Sequence, residues 1–138
     1  MITISTDKTK LDLNTIHTYL SKESYWAKNI PIETVKRSIE NSICFGVYDD
    51  EAQIGFARII SDQATFAYLA DVFILTNYRG KGLSKQLMEY IIAFPQLQGL
   101  RRWVLATSDA HGLYKQFGFT MLGSPDSFME IKANNIYG

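Results

Sequence analysis

Residues 79–84 read Arg-Gly-Lys-Gly-Leu-Ser, between two segments of different character. Before them, Thr65 to Leu75 is a run of aromatic and aliphatic residues suited to a buried central strand. After them, Leu83, Leu87, Tyr90 and Ile91 fall on one face of a helix that ends before Pro95. Gly80 and Gly82 remove side chains from the turn, so backbone N–H groups can converge on one point. The helix start adds unpaired donors and the positive end of its dipole. Such a turn suits a phosphate or pyrophosphate, and Arg79, Lys81 and Lys85 add local positive charge. A tight strand-to-helix connection with solvated cations fits the glycines equally well. Two phosphate loops are excluded. A Walker A loop needs four residues between its first Gly and Gly-Lys-Ser/Thr, and that register fails here. A dinucleotide fingerprint needs a third Gly where Lys85 stands.

Working outward, Ile43 to Tyr48 and Gln53 to Ile60 read as a hairpin turned at Asp49, Asp50 and Glu51. Residues 2–5 read as a short strand. Asp12 caps a first helix carrying Leu13, Ile16, Tyr19 and Leu20, and Pro31 opens a second with Ile32, Val35 and Ile39. Downstream, Trp103 to Ala106 is a short strand. Ser108 or Asp109 caps a helix to about Phe117, Gly118 ends it, and Phe119 to Leu122 reads as a last strand. The order is β-α-α-β-β-β-α-β-α-β. One domain, 1–138, is expected, with a mixed sheet and helices on both faces: α/β (α+β) in class.

Composition narrows the partners. Fourteen Lys and Arg balance 14 Asp and Glu, so no global positive field recruits nucleic acid or an anionic membrane. Arg101 and Arg102 lack the adjacent aromatics of a stacking groove and read as surface charges. The single cysteine, Cys44, and two histidines without supporting ligands point to no metal site. No apolar run suits a membrane span, and the N-terminus lacks a signal-peptide pattern, so a cytoplasmic protein is expected.

The loop Arg79–Ser84 resembles the Arg/Gln-x-x-Gly-x-Gly/Ala pyrophosphate loop of the GNAT superfamily of N-acetyltransferases. The preceding LADVFIL (69–75) and the following helix resemble that family's core segment. DAHGLYKQFGF (109–119) resembles its second segment, with Ala110, Leu113, Tyr114, Gly118 and Phe119 in place. Two positions depart from the pattern: Ser84 replaces a Gly or Ala, and Thr107 stands where Asn is frequent. The resemblance implies a mostly antiparallel sheet with a splayed parallel strand pair, and acetyl-CoA as cosubstrate with an amine as acceptor. It implies that Phe73, Ile74 and Leu75 offer backbone bonds to pantetheine. The amides of Arg79, Gly80, Lys81, Gly82, Leu83 and Ser84 would hold the pyrophosphate, and Thr107 and Tyr114 would also touch the cosubstrate. An N–H near Phe73 or Ile74 would polarise the thioester carbonyl.

Chemically, transfer to a primary amine in a ternary complex needs a group that accepts the amine's proton and one that assists the leaving thiolate. Tyr114 stands where the family's general acid stands; its plainer reading is a core tyrosine. Asp71 interrupts a very apolar strand, which reads either as a base or as a carboxylate paired to Arg58 or to the substrate amine. His111 reads as a surface residue at a helix start and His17 as solvated. Tyr25 and Trp26 read as closing the core over the sheet, with an acceptor cleft as the other reading. Asp62 is, with Asp71, a candidate to bind a cationic amine. A homodimer is left open. The competing functions are a non-catalytic acyl-CoA sensor or interaction module, and an interaction domain whose Gly-rich turn is structural.

Overall fold

The computed structural model describes residues 1–138. The strands are β1 (Ile2–Ser5), β2 (Ile43–Asp49), β3 (Ala52–Ser61), β4 (Phe66–Ile74) and β5 (Arg102–Leu105). The helices are α1 (Leu13–Thr18), α2 (Ile32–Glu40), α3 (Leu83–Ile92) and α4 (His111–Lys115). The five strands lie in chain order across one sheet. Every neighbouring pair is antiparallel except β4 and β5, which run parallel from Phe66↔Arg102 to Leu69↔Leu105. The α3 crossover between them supplies the connection that a parallel pair requires.

Side chains alternate across the sheet, and each face builds its own core. On one face Phe45, Val47, Ile59, Ala67 and Leu69 meet Leu87, Met88 and Ile91 of α3, with Tyr114 of α4 alongside. On the other, Cys44, Phe56 and Phe73 meet Ile16 of α1, Leu20 just after it, and Val35 of α2. Helices therefore cover both faces, as the alternation predicts. Asp12 accepts from the Thr15 N–H and caps α1, which runs on through a wider turn over Tyr19–Glu23.

A bulge in β4 breaks the alternation. The register steps from Phe56↔Phe73 to Arg58↔Ala70, so Ala57 alone faces Asp71 and Val72. Asp71 takes a left-handed φ of 56° there. The extra residue flips the strand's parity: Leu69 joins the α3 core and Phe73 the α1–α2 core. It also bends β4 where its pairing with β5 ends.

The expected strand at Phe119–Leu122 does not form. Residues 120–123 make no backbone–backbone hydrogen bond, because no strand lies beside them. Alternating apolar residues make a strand only against a partner edge. The expected helix to Phe117 is also shorter. The Thr107 hydroxyl, rather than Ser108 or Asp109, accepts from the Ala110 N–H at its start. It tightens after Lys115 and ends at Gly118, where φ is 94°.

Candidate active site

The site lies where the parallel pair parts. β4 continues past Leu69 to Ile74, while β5 ends at Leu105 and the chain turns away through Ala106–Asp109. Between them opens a cleft of about 340 Å³. Its walls include Ala70, Asp71 and Val72 of the bulge, Leu105 to Ser108, and Tyr114. Tyr25 and Trp26 close one side, so these aromatics line the cleft instead of sealing the core. Both are about half-exposed. They reach it because Ser24 folds the α1–α2 connection into a turn, accepting from Ala27 N–H and donating to Leu20 carbonyl.

Three bonds fix the cleft floor. Arg58 Nε donates to Asp71 Oδ2 at 2.9 Å, and Trp26 Nε1 donates to Oδ1 at 2.8 Å. The guanidinium also donates to Ser42 Oγ at 3.1 Å. Both Asp71 oxygens are thus engaged, and the pairing with Arg58 that the sequence left open is present. Across the cleft, the Ser108 N–H donates to the Tyr25 hydroxyl at 2.9 Å. Hydrogen bonding to Ser108 draws the Tyr25 phenol below its ordinary range.

Tyr114 differs. Its ring is buried, edge-on to Phe119 with centroids 5.9 Å apart. Its hydroxyl makes no hydrogen bond within the protein, yet it is not sealed off, because the only fully buried side-chain polar atom without a partner is Tyr48 Oη. Burial, helped by the charges of Tyr25 and Asp109, pushes the Tyr114 phenol up to about 12. It stays protonated at neutral pH and can donate a hydrogen bond into the cleft.

At the far end of β4, a short tight turn at Thr76–Tyr78 leads into the Gly-rich loop. Gly80 and Gly82 both adopt left-handed φ, 78° and 76°, and Gly82 begins α3 with no side-chain cap. None of the N–H groups of residues 80–85 bonds to a protein acceptor. A Cβ placed on either glycine would meet nothing within 4 Å, so the loop is open to solvent at both positions. The donor run begins one residue later than the sequence suggests: the Arg79 N–H is spent on the Thr76 carbonyl. The Arg79 side chain also turns inward, donating to the Ile74 carbonyl at 2.9 Å and to the Tyr19 hydroxyl at 2.8 Å. Lys81 lies over the Tyr78 ring.

Other expected contacts are altered. Leu75 has no backbone group to spare, since its N–H donates to Ile54 and its carbonyl accepts from Tyr78. By strand alternation the Phe73 N–H also points to β3, leaving that of Ile74 on the cleft side. Phe73 itself stacks on Tyr19 at 4.1 Å inside the core. The Thr107 hydroxyl is committed to the start of α4. Asp62 does not line the cleft, and its carboxylate accepts from the N–H groups of Ala64, Thr65 and Phe66 and holds the β3–β4 turn. Those bonds hold it well below the usual carboxylate range. His17 is not simply solvated, since its Nε2 lies 2.9 Å from the Ile30 carbonyl. His111 is exposed, as expected.

The model of the acetyltransferase (GNAT) domain matches residues 40–121. The chain belongs to the GNAT acetyltransferase family. A candidate acetyltransferase of Gibberella zeae is 32% identical over 80% of this chain and 74% of its own. A GNAT-family candidate from Xanthomonas campestris, known from its crystal structure, is 52% identical. It covers 99% of this chain and 96% of its own, with a TM-score of 0.97. An Elizabethkingia anophelis GNAT structure with acetyl-CoA bound shares the fold, at 15% identity, TM-score 0.66, and coverage of 96% and 89%. The matched GNAT segment contains the bulge, the Gly-rich loop, Thr107 and Tyr114, and excludes Tyr25 and Trp26. The aromatic wall therefore lies outside the matched family segment. The Tyr-Trp pair between two helices was its only sequence signal.

Proposed function

We propose that this chain is an N-acetyltransferase that passes the acetyl group of acetyl-CoA directly to a primary amine, both substrates being bound at once. The unbonded amides of residues 80–85 carry this reading. An unpaired donor run at a helix start, in open space, fits a diphosphate. Gly80, Lys81, Gly82, Leu83, Ser84 and Lys85 would hold it through main-chain N–H groups. Arg79 would brace the loop from behind through Ile74 and Tyr19.

Acetyl-CoA would supply an acyl thioester already activated toward attack. The chain's part is to hold and polarise it. The Ile74 N–H donates to the carbonyl oxygen where negative charge develops, with Phe73 and Leu75 holding that strand in place. The acceptor amine enters from the side of Tyr25 and Trp26, attacks the carbonyl carbon, and the C–S bond breaks. A free amine with an ordinary pKa near 10.4 is roughly one part in a thousand neutral at pH 7, so its proton must leave for attack to occur. Both Asp71 oxygens already accept strong hydrogen bonds. Asp71 acts by holding Trp26 against the acceptor, and water in the cleft takes the proton.

The sulfur leaves toward Tyr114. Full proton transfer from a phenol near 12 to a thiolate with an ordinary pKa near 8.5 is uphill. Tyr114 therefore stabilises the leaving sulfur by donating a hydrogen bond, and the thiolate gains its proton as it escapes. Thr107 contributes by fixing the start of the helix that carries Tyr114. The test is thiol release from acetyl-CoA against a panel of primary amines, with mass analysis of the products. Acetylated amine with stoichiometric thiol supports the reading. CoA binding with no turnover across the panel would leave a sensor module instead.

A further inference from the structure

The polar tips of Tyr25 and Trp26 are both spent inside the protein. Trp26 Nε1 donates to Asp71 Oδ1, and the Tyr25 hydroxyl accepts from the Ser108 N–H. What these residues offer the cleft is therefore their rings. The two rings stand edge to face, with centroids 5.0 Å apart and planes at 83°. Tyr25 keeps 53% of its surface exposed and Trp26 41%. Together they form a corner with two apolar walls, which Tyr68, Ala70 and Val72 of β4 extend. The corner is held in advance. Tyr25 is tied to the loop after β5 and Trp26 to the bulge, so a ligand entering it orders little that is not already ordered.

Charge narrows the ligand further. Asp71 is the one charged side chain in the cleft lining. It is 10% exposed, and Arg58 neutralises it at 2.9 Å. No free carboxylate waits for a second ammonium, and no cation in the lining waits for a carboxylate or a phosphate. A charged substituent on the acceptor would lose its water and find no partner. Aromatic faces can also hold an ammonium directly. Doing so would stabilise the proton that must leave before attack, so the rings serve the body of the acceptor and not its nitrogen. Ile74, whose N–H is assigned to the thioester, lies three residues beyond Asp71 along β4. The nitrogen therefore stands off from the stacked body on a short alkyl chain.

Resting on the acetyl-transfer reading above, we propose that the acceptor is an aromatic monoamine: a flat apolar ring, a short alkyl chain, one primary amine and no other charge. Tyr25 and Trp26 select it by receiving the ring in their corner. The amine then points along β4 toward the thioester. Its nitrogen bonds to the acetyl carbon, the C–S bond breaks with its electron pair on sulfur, and the amine's proton passes to water. The products are a neutral aromatic amide and CoA. Diamines, amino acids and phosphorylated amino sugars each carry a charge that this cleft leaves unpaired.

Steady-state thiol release by the full chain, with acetyl-CoA and four acceptors, tests this. The acceptors are phenethylamine, hexylamine, putrescine and free phenylalanine. Phenethylamine should exceed hexylamine in kcat/KM by about tenfold, from stacking on the rings. It should exceed putrescine and phenylalanine by at least about 30-fold, because their extra charge goes unpaired. Trp26→Ala should raise KM for phenethylamine about tenfold and leave KM for acetyl-CoA within about twofold. Tyr25→Phe keeps the ring and should hold KM for phenethylamine within about threefold of wild type. Putrescine, phenylalanine or hexylamine used as well as phenethylamine would overturn this inference and leave the transferase reading standing. So would a Trp26→Ala variant that loses activity equally on all four acceptors. Acetyl-CoA bound with no thiol released by any of them would overturn the transferase reading, and this inference with it.

Discussion

Tyr114 and Asp71 face the same cleft with opposite endowments. Tyr114 has an unbonded hydroxyl and a phenol raised to about 12, whereas Asp71 has both oxygens occupied. Removing the Tyr114 hydroxyl should therefore affect chemistry and not binding. Tyr114→Phe is expected to lower kcat about 100-fold with CoA affinity within twofold of wild type, read by steady-state kinetics and calorimetry. Equal loss in both would make Tyr114 a binding residue. Asp71→Asn keeps the shape and removes the charge. If Asp71 positions Trp26, the acid limb of the pH–rate profile stays where it is and KM for the amine rises. Loss of that limb would restore Asp71 as the base. Neither side chain could be assigned from sequence alone. A carboxylate in an apolar strand reads equally as base or ion pair until Arg58 and Trp26 are seen at its two oxygens.

At the scale of elements, the Gly-rich loop and the bulge do different work. Two glycines between an apolar strand and a helical pattern fit a phosphate turn and a plain connection equally, and the resemblance of residues 79–84 to the GNAT loop singled the turn out. Its donor run was misplaced by one residue, since the tight turn at Thr76–Tyr78 consumes the Arg79 N–H, and no sequence pattern predicts that. The bulge was invisible: nothing in LADVFIL announces that Asp71 takes a left-handed φ and flips Phe73 to the other core. The last strand, Phe119–Leu122, had the right pattern and lacked a partner. Gly82→Asp tests the loop. A Cβ there meets open space, so the fold bears only the left-handed φ of 76°, which Asp tolerates better than most residues. The thermal midpoint should change by a few degrees at most, while CoA affinity falls at least about 100-fold from blocked amides and added negative charge. Unchanged affinity by calorimetry would remove the loop from the site.

For the whole molecule, three buried groups must stay neutral: Cys44, raised to about 11, and Tyr48 and Tyr114, each raised to about 12. Desolvation is the leading cause in each case. Their ordinary values are 9.0 for the thiol and 10.0 for the phenols. Above those values the unfolded chain releases protons that the folded chain keeps, so stability is fully present below about pH 9 and is lost as pH climbs toward 12. Thermal midpoints should be flat from the titration of these groups between pH 7 and 8.5 and fall steeply from pH 9 to 11. A midpoint insensitive to that upper range would mean that the groups are solvated. Layer order, the hairpin and the two faces of helices were readable in advance because each is set by periodicity within one segment. The aromatic wall of Tyr25 and Trp26 was not, because it depends on where distant segments meet.

The central claim is that the free amides after Arg79 grip a diphosphate. It is tested most directly by following backbone amide resonances while CoA is titrated into the uniformly nitrogen-15-labelled protein. The account predicts that Gly80, Lys81, Gly82, Ser84 and Lys85 shift together and saturate at one affinity. Saturable binding with those five resonances unmoved would contradict it.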